Sequence, residues 1–191
     1  MHIKNVNTAT KIATIVKRTK NTSKKLWDID WNINDKSILK DESGRVYLIV
    51  VNGEIYKIGA SSCKGGIQKT ISIYRDLAFI GSPSVRTYGI HVLISDELDK
   101  GNSVEFYLIK ADKINLPVPG LFDIEIKKNV SVDCKEIENK CLTDFYNNIG
   151  TYPKWNFQEK HEVWPDYITE GCNKLKTKTG KNSKISKLWH N

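Results

Sequence analysis

A chain of 191 residues has room for one domain with extensions, or for one domain and a small companion. Its 30 Lys and Arg against 22 Asp and Glu leave a net charge of +8, which favours a polyanionic partner, nucleic acid before an acidic membrane surface. No apolar run approaches a membrane span, the N-terminus lacks a signal-peptide core, and Cys63, Cys134, Cys141 and Cys172 form no C-x-x-C pair. The expectation is therefore a soluble, cytoplasmic protein with no zinc site and no disulfide framework.

Residues 1–25 carry Lys4, Lys11, Lys17, Arg18, Lys20, Lys24 and Lys25 and no carboxylate side chain. Ala9, Ile12, Ala13 and Val16 are spaced for one helical face, which predicts a short amphipathic helix over 8–19. Trp27 and Trp31 follow in a stretch whose spacing suits strand or helix, and both read as packing residues. Asp41 to Gly44 is a turn. Arg45 to Gly59 then holds two β-branched runs flanking Asn52-Gly53, a hairpin signal. Two polar groups stand near its open end, Tyr47 and Lys57. A two-residue loop pairs Leu48 with Lys57 and sends Tyr47 to the other face. A three-residue loop, with Gly53 as a bulge, pairs Tyr47 with Lys57.

Ile67 to Phe79 reads as a helix with Ile67, Ile71, Tyr74 and Ala78 on one face. Ser82-Pro83 predicts the start of a second helix ending near Gly101, with Gly89 as a tight packing point. Ser103 to Ile109 is a third strand. Lys113 to Val130 reads as an insertion with a short hairpin over Leu121 to Val130. Asp133 and Glu136 open a further helix, carried by Ile137, Cys141, Leu142, Phe145 and Ile149 and stopped by Gly150. Tyr152-Pro-Lys-Trp-Asn156 is an extended exit. Asn173 to Asn191 has six lysines and no carboxylate side chain, a composition that argues disorder, with Leu188 and Trp189 suggesting docking or ordering on DNA.

Arg45-Val46-Tyr47 and Lys57-Ile58-Gly59 resemble the paired elements of the GIY-YIG nuclease superfamily, in the version found in its Type II restriction endonucleases, where a lysine replaces the second tyrosine. The resemblance covers roughly residues 44–160. It implies an α+β fold, a small antiparallel sheet made of the hairpin and a third strand, flanked by helices. It divides the chain into a basic N-terminal arm (1–43), a nuclease core (44–160, insertion 113–130) and a basic C-terminal tail (161–191). It also implies that Tyr47 and Lys57 both face the scissile phosphate, which selects the three-residue loop.

By the same resemblance, Tyr47 is the general base and Lys57 its activator. Glu138 is the ligand of Mg²⁺, for which Mn²⁺ substitutes, and Asn156 supports the site by hydrogen bonding. The superfamily's phosphate-clamping arginine falls on Gln68, so Lys69 or Arg75 must stand in, or the chain is impaired. Ala60 occupies the place of a histidine, for which His91 is the candidate replacement. Lys64, Arg86, Lys154, Lys174, Lys176 and Lys178 are expected DNA contacts. The expected function is a Mg²⁺-dependent, sequence-specific endonuclease acting on double-stranded DNA as a homodimer. The alternatives are a non-cleaving DNA-binding protein of the same fold, and a homing or phage-type nuclease.

Overall fold

The computed structural model describes residues 1–18, 27–76, 83–110, 113–118, 121, 126–131 and 133–187. Lys20, Lys24, Lys25, the expected cap Ser82, the helix end over 77–79, the side chain of Lys178, and Leu188 and Trp189 lie outside the described residues.

The chain is α+β. After a single 3₁₀ turn at Ile3–Asn5 come β1 (Thr10–Lys17), β2 (Trp27–Trp31), α1 (Lys36–Lys40), β3 (Arg45–Val51) and β4 (Glu54–Ser61). Next are α2 (Gly66–Arg75), α3 (Val85–Asp99), β5 (Val104–Lys110), β6 (Lys113–Val118), β7 (Ile126–Ser131), α4 (Cys134–Ile149) and α5 (Asp166–Lys187). Five strands form one antiparallel sheet in the order β2-β1-β5-β3-β4, and β6 pairs with β7 apart from it. The insertion's hairpin therefore uses 113–118 and 126–131, a wider span than the expected 121–130.

The N-terminal arm corrects the predicted helix. Residues 10–17 are a strand at the heart of the sheet, between β2 and β5. Thr10, Ile12, Thr14, Ile15 and Val16 are β-branched, which disfavours the helix their spacing allowed. A register shift between Lys11 and Ala13 puts Ile12 and Ile15 among the same buried residues, imitating a helical stripe. The arm is thus part of the core sheet.

β3 lies between β4 and β5 and is buried along its whole length, so both sheet faces are covered. Tyr47, Ile49 and Val51 look toward α2 and α3, against Ile67, Ile71, Ile90 and Ile94. Val46, Leu48 and Val50 look the other way, toward Leu142 and Phe145 of α4. α3 starts two residues later than expected, with Ser84 as the cap accepting from Thr87 N–H.

The C-terminal segment is also corrected. It is helical from Asp166 to Lys187, because Ile168 and Cys172, one turn apart, are buried against α3. The Trp164 ring packs where a side chain on Gly89 would otherwise stand. Among the described residues no helix is long and apolar enough to cross a membrane.

Arg45 is buried, and its guanidinium donates to the carbonyls of Asp41, Ser43 (3.0 Å) and Cys63 (2.6 Å), tying the turn before β3 to the loop before α2. Arg45→Ala would leave those carbonyls without their donor. We expect it to lower the unfolding free energy by about 3 kcal/mol in urea titrations.

Candidate active site

The hairpin turn is a two-residue one, correcting the expected three-residue loop. Asn52 (φ 48°) and Gly53 (φ 82°) both adopt positive φ, and Val51 pairs with Glu54. The extra residue sits inside β4 instead. Ile49 pairs with Lys57 while Val50 pairs with Ile55, leaving Tyr56 as a bulge. Tyr47 therefore pairs with Gly59, and Lys57 lies one diagonal away on the same face. The bulge brings phenol and ammonium to one side without pairing them directly.

Tyr47 is buried, with its hydroxyl 2.6 Å from that of Tyr74 on α2. Gly59 makes room for the ring, since a Cβ there would stand 2.5 Å from Tyr47 Oη. Gly59→Ala should displace the phenol and cost roughly 1–3 kcal/mol, seen as a lower Tm, because the packing cannot absorb the added methyl group. Burial, then the neighbouring Tyr74, holds the Tyr47 phenol well above its ordinary range, so it stays protonated at neutral pH.

Lys57 is 3% exposed and has no hydrogen bond or ion pair among the described residues. Burial first, then the positive charge of Arg86, lowers it to about 8, while Glu159 and Glu138 oppose the shift. It is a buried amine poised near physiological pH.

Glu138 projects from the first half of α4 and is 1% exposed. One oxygen accepts the Ala60 N–H (2.9 Å), and the other meets the ammonium of Lys135, a mostly exposed side chain one turn earlier. Only the Lys135 ammonium would have to be displaced for a metal cation to take the second oxygen. A lone carboxylate of this kind fits Mg²⁺, which keeps several waters and takes further ligands from phosphate. Among the described residues no group of three or more His, Cys, Asp or Glu forms an alternative metal centre.

Asn156 is 1% exposed and acts as a neighbouring strand to β4. Its Oδ1 accepts Ile58 N–H and its Nδ2 donates to Ile58 C=O, each at 2.9 Å. With Trp155 N–H bonded to Tyr56 C=O (2.8 Å) and Glu138 on Ala60 N–H, the outer edge of β4 is satisfied by three different partners. That edge is where Glu138 of α4, which packs on one sheet face, meets the strand whose Lys57 lies on the other.

No protein-family model and no curated protein matches the chain. Among solved structures, it is similar to a mutant of bacteriophage T4 EndoII, at 20% identity and a TM-score of 0.49, covering 82% of this chain and 99% of that one. It is also similar to the restriction endonuclease HPY188I in complex with product DNA, at 24% identity and a TM-score of 0.43, covering 80% and 84%.

The remaining expected residues divide by location. Gln68 and Lys69 line a groove with Lys40, Glu42, Ser72 and Asp76, on the side of α2 next to α1. Arg75 is engaged by Asp76, Nε to Oδ1 at 2.8 Å and a terminal nitrogen to Oδ2 at 3.0 Å. His91 Nδ1 bonds the Tyr74 carbonyl at 2.8 Å, and its ring lies against Trp27. Lys64 is exposed in the loop before α2, Lys154 covers the Tyr56 ring, and Lys174 and Lys176 lie on α5.

Three further residues act on Tyr47, Lys57 or Glu138. Tyr74 was expected only as packing, Arg86 only as a DNA contact, and Glu159 not at all. Arg86, at the start of α3, acts electrostatically on Tyr47, Tyr74, Glu138 and Lys57. Burial depresses the guanidinium, while the neighbouring Tyr47 and Tyr74, followed by Glu138 and Glu159, raise it. No local pattern marks these residues, because they meet only through the docking of α3 and the exit segment.

Proposed function

We propose that the chain is a divalent-metal-dependent endonuclease that hydrolyses phosphodiester bonds in double-stranded DNA. The observation that carries this reading is the clustering, around the outer edge of β4, of a buried amine, a buried carboxylate whose second oxygen meets only the exposed Lys135 ammonium, and a pair of hydrogen-bonded phenols. They are contributed by β3, β4, α2 and α4.

Hydrolysis needs a proton acceptor for water, positive charge on the phosphate oxygens and a cation near the leaving oxygen. Glu138 would hold Mg²⁺ or Mn²⁺, which supplies Lewis acidity and an acidified water when bound. Of the two candidate acceptors, Lys57 at about 8 is far better matched to neutral pH than Tyr47, whose phenol lies well above 10. Neutral Lys57 takes the proton from the attacking water as the new P–O bond forms. The bond from phosphorus to the 3′ oxygen breaks, and that oxygen leaves as a hydroxyl with a proton from solvent. Tyr47, fixed by Tyr74 and Gly59, positions the water through its hydroxyl. Basic residues outside the pocket, Lys64, Lys154, Lys174 and Lys176 among them, supply phosphate contacts.

The finer reading is a Type II restriction-like enzyme. One such pocket cuts one strand, so a double-strand break calls for a two-fold dimer that reads a palindrome. Digestion of a long DNA of known sequence tests this. Wild type with Mg²⁺ or Mn²⁺ should give discrete linear fragments, chelation should stop the reaction, and Glu138→Gln should slow it by at least roughly a thousandfold. A second reading, a DNA-binding protein that does not cut, draws on Gln68 being neutral and on Lys135 occupying the second oxygen of Glu138. Salt-sensitive binding without any nicking in either metal would favour it.

A further inference from the structure

The pocket needs a positive group that can grip two phosphate oxygens together, and none of the α2 side chains just described supplies it. Lys57 cannot do so while serving as a neutral acceptor. On the α1 side of α2, Gln68 and Lys69 share the groove with Lys40 and Glu42, and Arg75 is held by a carboxylate. One guanidinium remains. Arg86 is the second residue of α3, half-buried, and among the described residues it makes no hydrogen bond and no ion pair.

A guanidinium packed among protein groups normally gives several of its five N–H donors to them. Half-buried Arg86 gives none to the described residues. The groups that act on it come from four elements: the phenols Tyr47 of β3 and Tyr74 of α2, neutral at pH 7, and the carboxylates Glu138 of α4 and Glu159 of the exit segment. Lys57 from β4 is pushed toward its neutral form by the same guanidinium. The two carboxylates attract Arg86 without engaging it in a hydrogen bond. Its donors stay available to a dianionic or monoanionic oxygen pair entering the cleft, and a planar fork suits that pair better than an ammonium does.

Resting on the nuclease reading above, we propose that Arg86, delivered by α3, is the catalytic guanidinium that holds the two non-bridging oxygens of the scissile phosphate. The clamp has moved from the helix after the hairpin to the next helix, and the neutral Gln68 is no sign of impairment. After burial, Arg86 is also the main group that loosens the hold of Lys57 on its proton, so one residue would bind the phosphate and tune the proton acceptor.

The test is single-turnover cleavage, at saturating enzyme with Mg²⁺, of a synthetic duplex spanning a mapped cut. Arg86→Ala and Arg86→Gln should each slow cleavage by roughly a hundredfold or more, and Arg86→Lys should restore only part of the rate. Arg75→Ala and Lys69→Ala should stay within about threefold of wild type, since neither loses a phosphate contact. A neutral methylphosphonate at the scissile position should slow wild type, yet leave Arg86→Ala little further to lose. Circular dichroism and Tm accompany each variant, and the glutamine form covers the case in which alanine fails to fold. If wild type cuts and both Arg86 variants cut within threefold of it, this inference is wrong and the nuclease reading stands. If the Arg75 or Lys69 variant shows the loss instead, the clamp lies on α2. If wild type cuts no DNA with Mg²⁺ or Mn²⁺, both the inference and the reading it rests on fail.

Discussion

Replacing Lys57 with methionine should produce a protein that is more stable and catalytically dead. The folded-state value of about 8, against 10.5 for an ordinary lysine, means that burying the charged amine costs about 3 kcal/mol below pH 8. The unfolded chain binds this proton more tightly than the folded one. Stability therefore rises with pH between about 8 and 10.5, and the full penalty applies below that window. Methionine keeps the length of the side chain and removes the charge. Lys57→Met should gain roughly 2–3 kcal/mol in urea titrations at pH 6–7, and nothing above pH 10.5, where both states of wild type carry a neutral amine.

Cleavage by the same variant should drop by roughly 10² to 10⁴, the usual contribution of a proton acceptor. In wild type, the single-turnover rate should climb with pH up to about 8 and then level off, and Lys57→Met should flatten that profile. A rate that falls above pH 8 would mean that the ammonium, not the amine, is required. A variant no more stable than wild type would mean that the amine is not buried as described.

The second large effect is structural. Asn156→Ala should lower the unfolding free energy by about 2–4 kcal/mol, since it strips the partners from a buried N–H and a buried C=O of Ile58 together. Asn156→Asp discriminates further. Its oxygen can still accept Ile58 N–H, but it cannot donate to Ile58 C=O and it brings a charge into a buried place. It should be at least as destabilising as alanine at pH 7 and should recover as the pH falls toward 4, where the carboxyl can be protonated. Denaturation at the two pH values measures this, and an aspartate variant as stable as wild type would remove Asn156 from the support of β4.

The hairpin, the two following helices, β5 and α4 were each readable locally. Asn52-Gly53 marks a turn by its tolerance of positive φ, and Ile67, Ile71 and Tyr74 mark a helix by their period. The places where local reading failed have a common cause. At Thr10–Lys17 the apolar spacing suited two periodicities, and pairing with β2 and β5 made the choice. From Asn173 onward the lysine-rich composition argues disorder, yet that stretch continues a helix whose Ile168 and Cys172 are buried because α3 is there to receive them.

By itself, then, the sequence determined which chemical groups were available and where the turn, the apolar faces and the helix stops fell, because those depend on backbone preferences and on nearest neighbours in the chain. Only the tertiary structure decided that the extra residue of the hairpin sits at Tyr56, which puts Tyr47 and Lys57 on one face. The same is true of Arg86, which the docking of α3 couples to Tyr47, Tyr74 and Glu138, and of the outer edge of β4, which is closed by Glu138, Trp155 and Asn156. Register and desolvation are properties of groups meeting across long separations in sequence, and only the packed chain brings them within reach of one another.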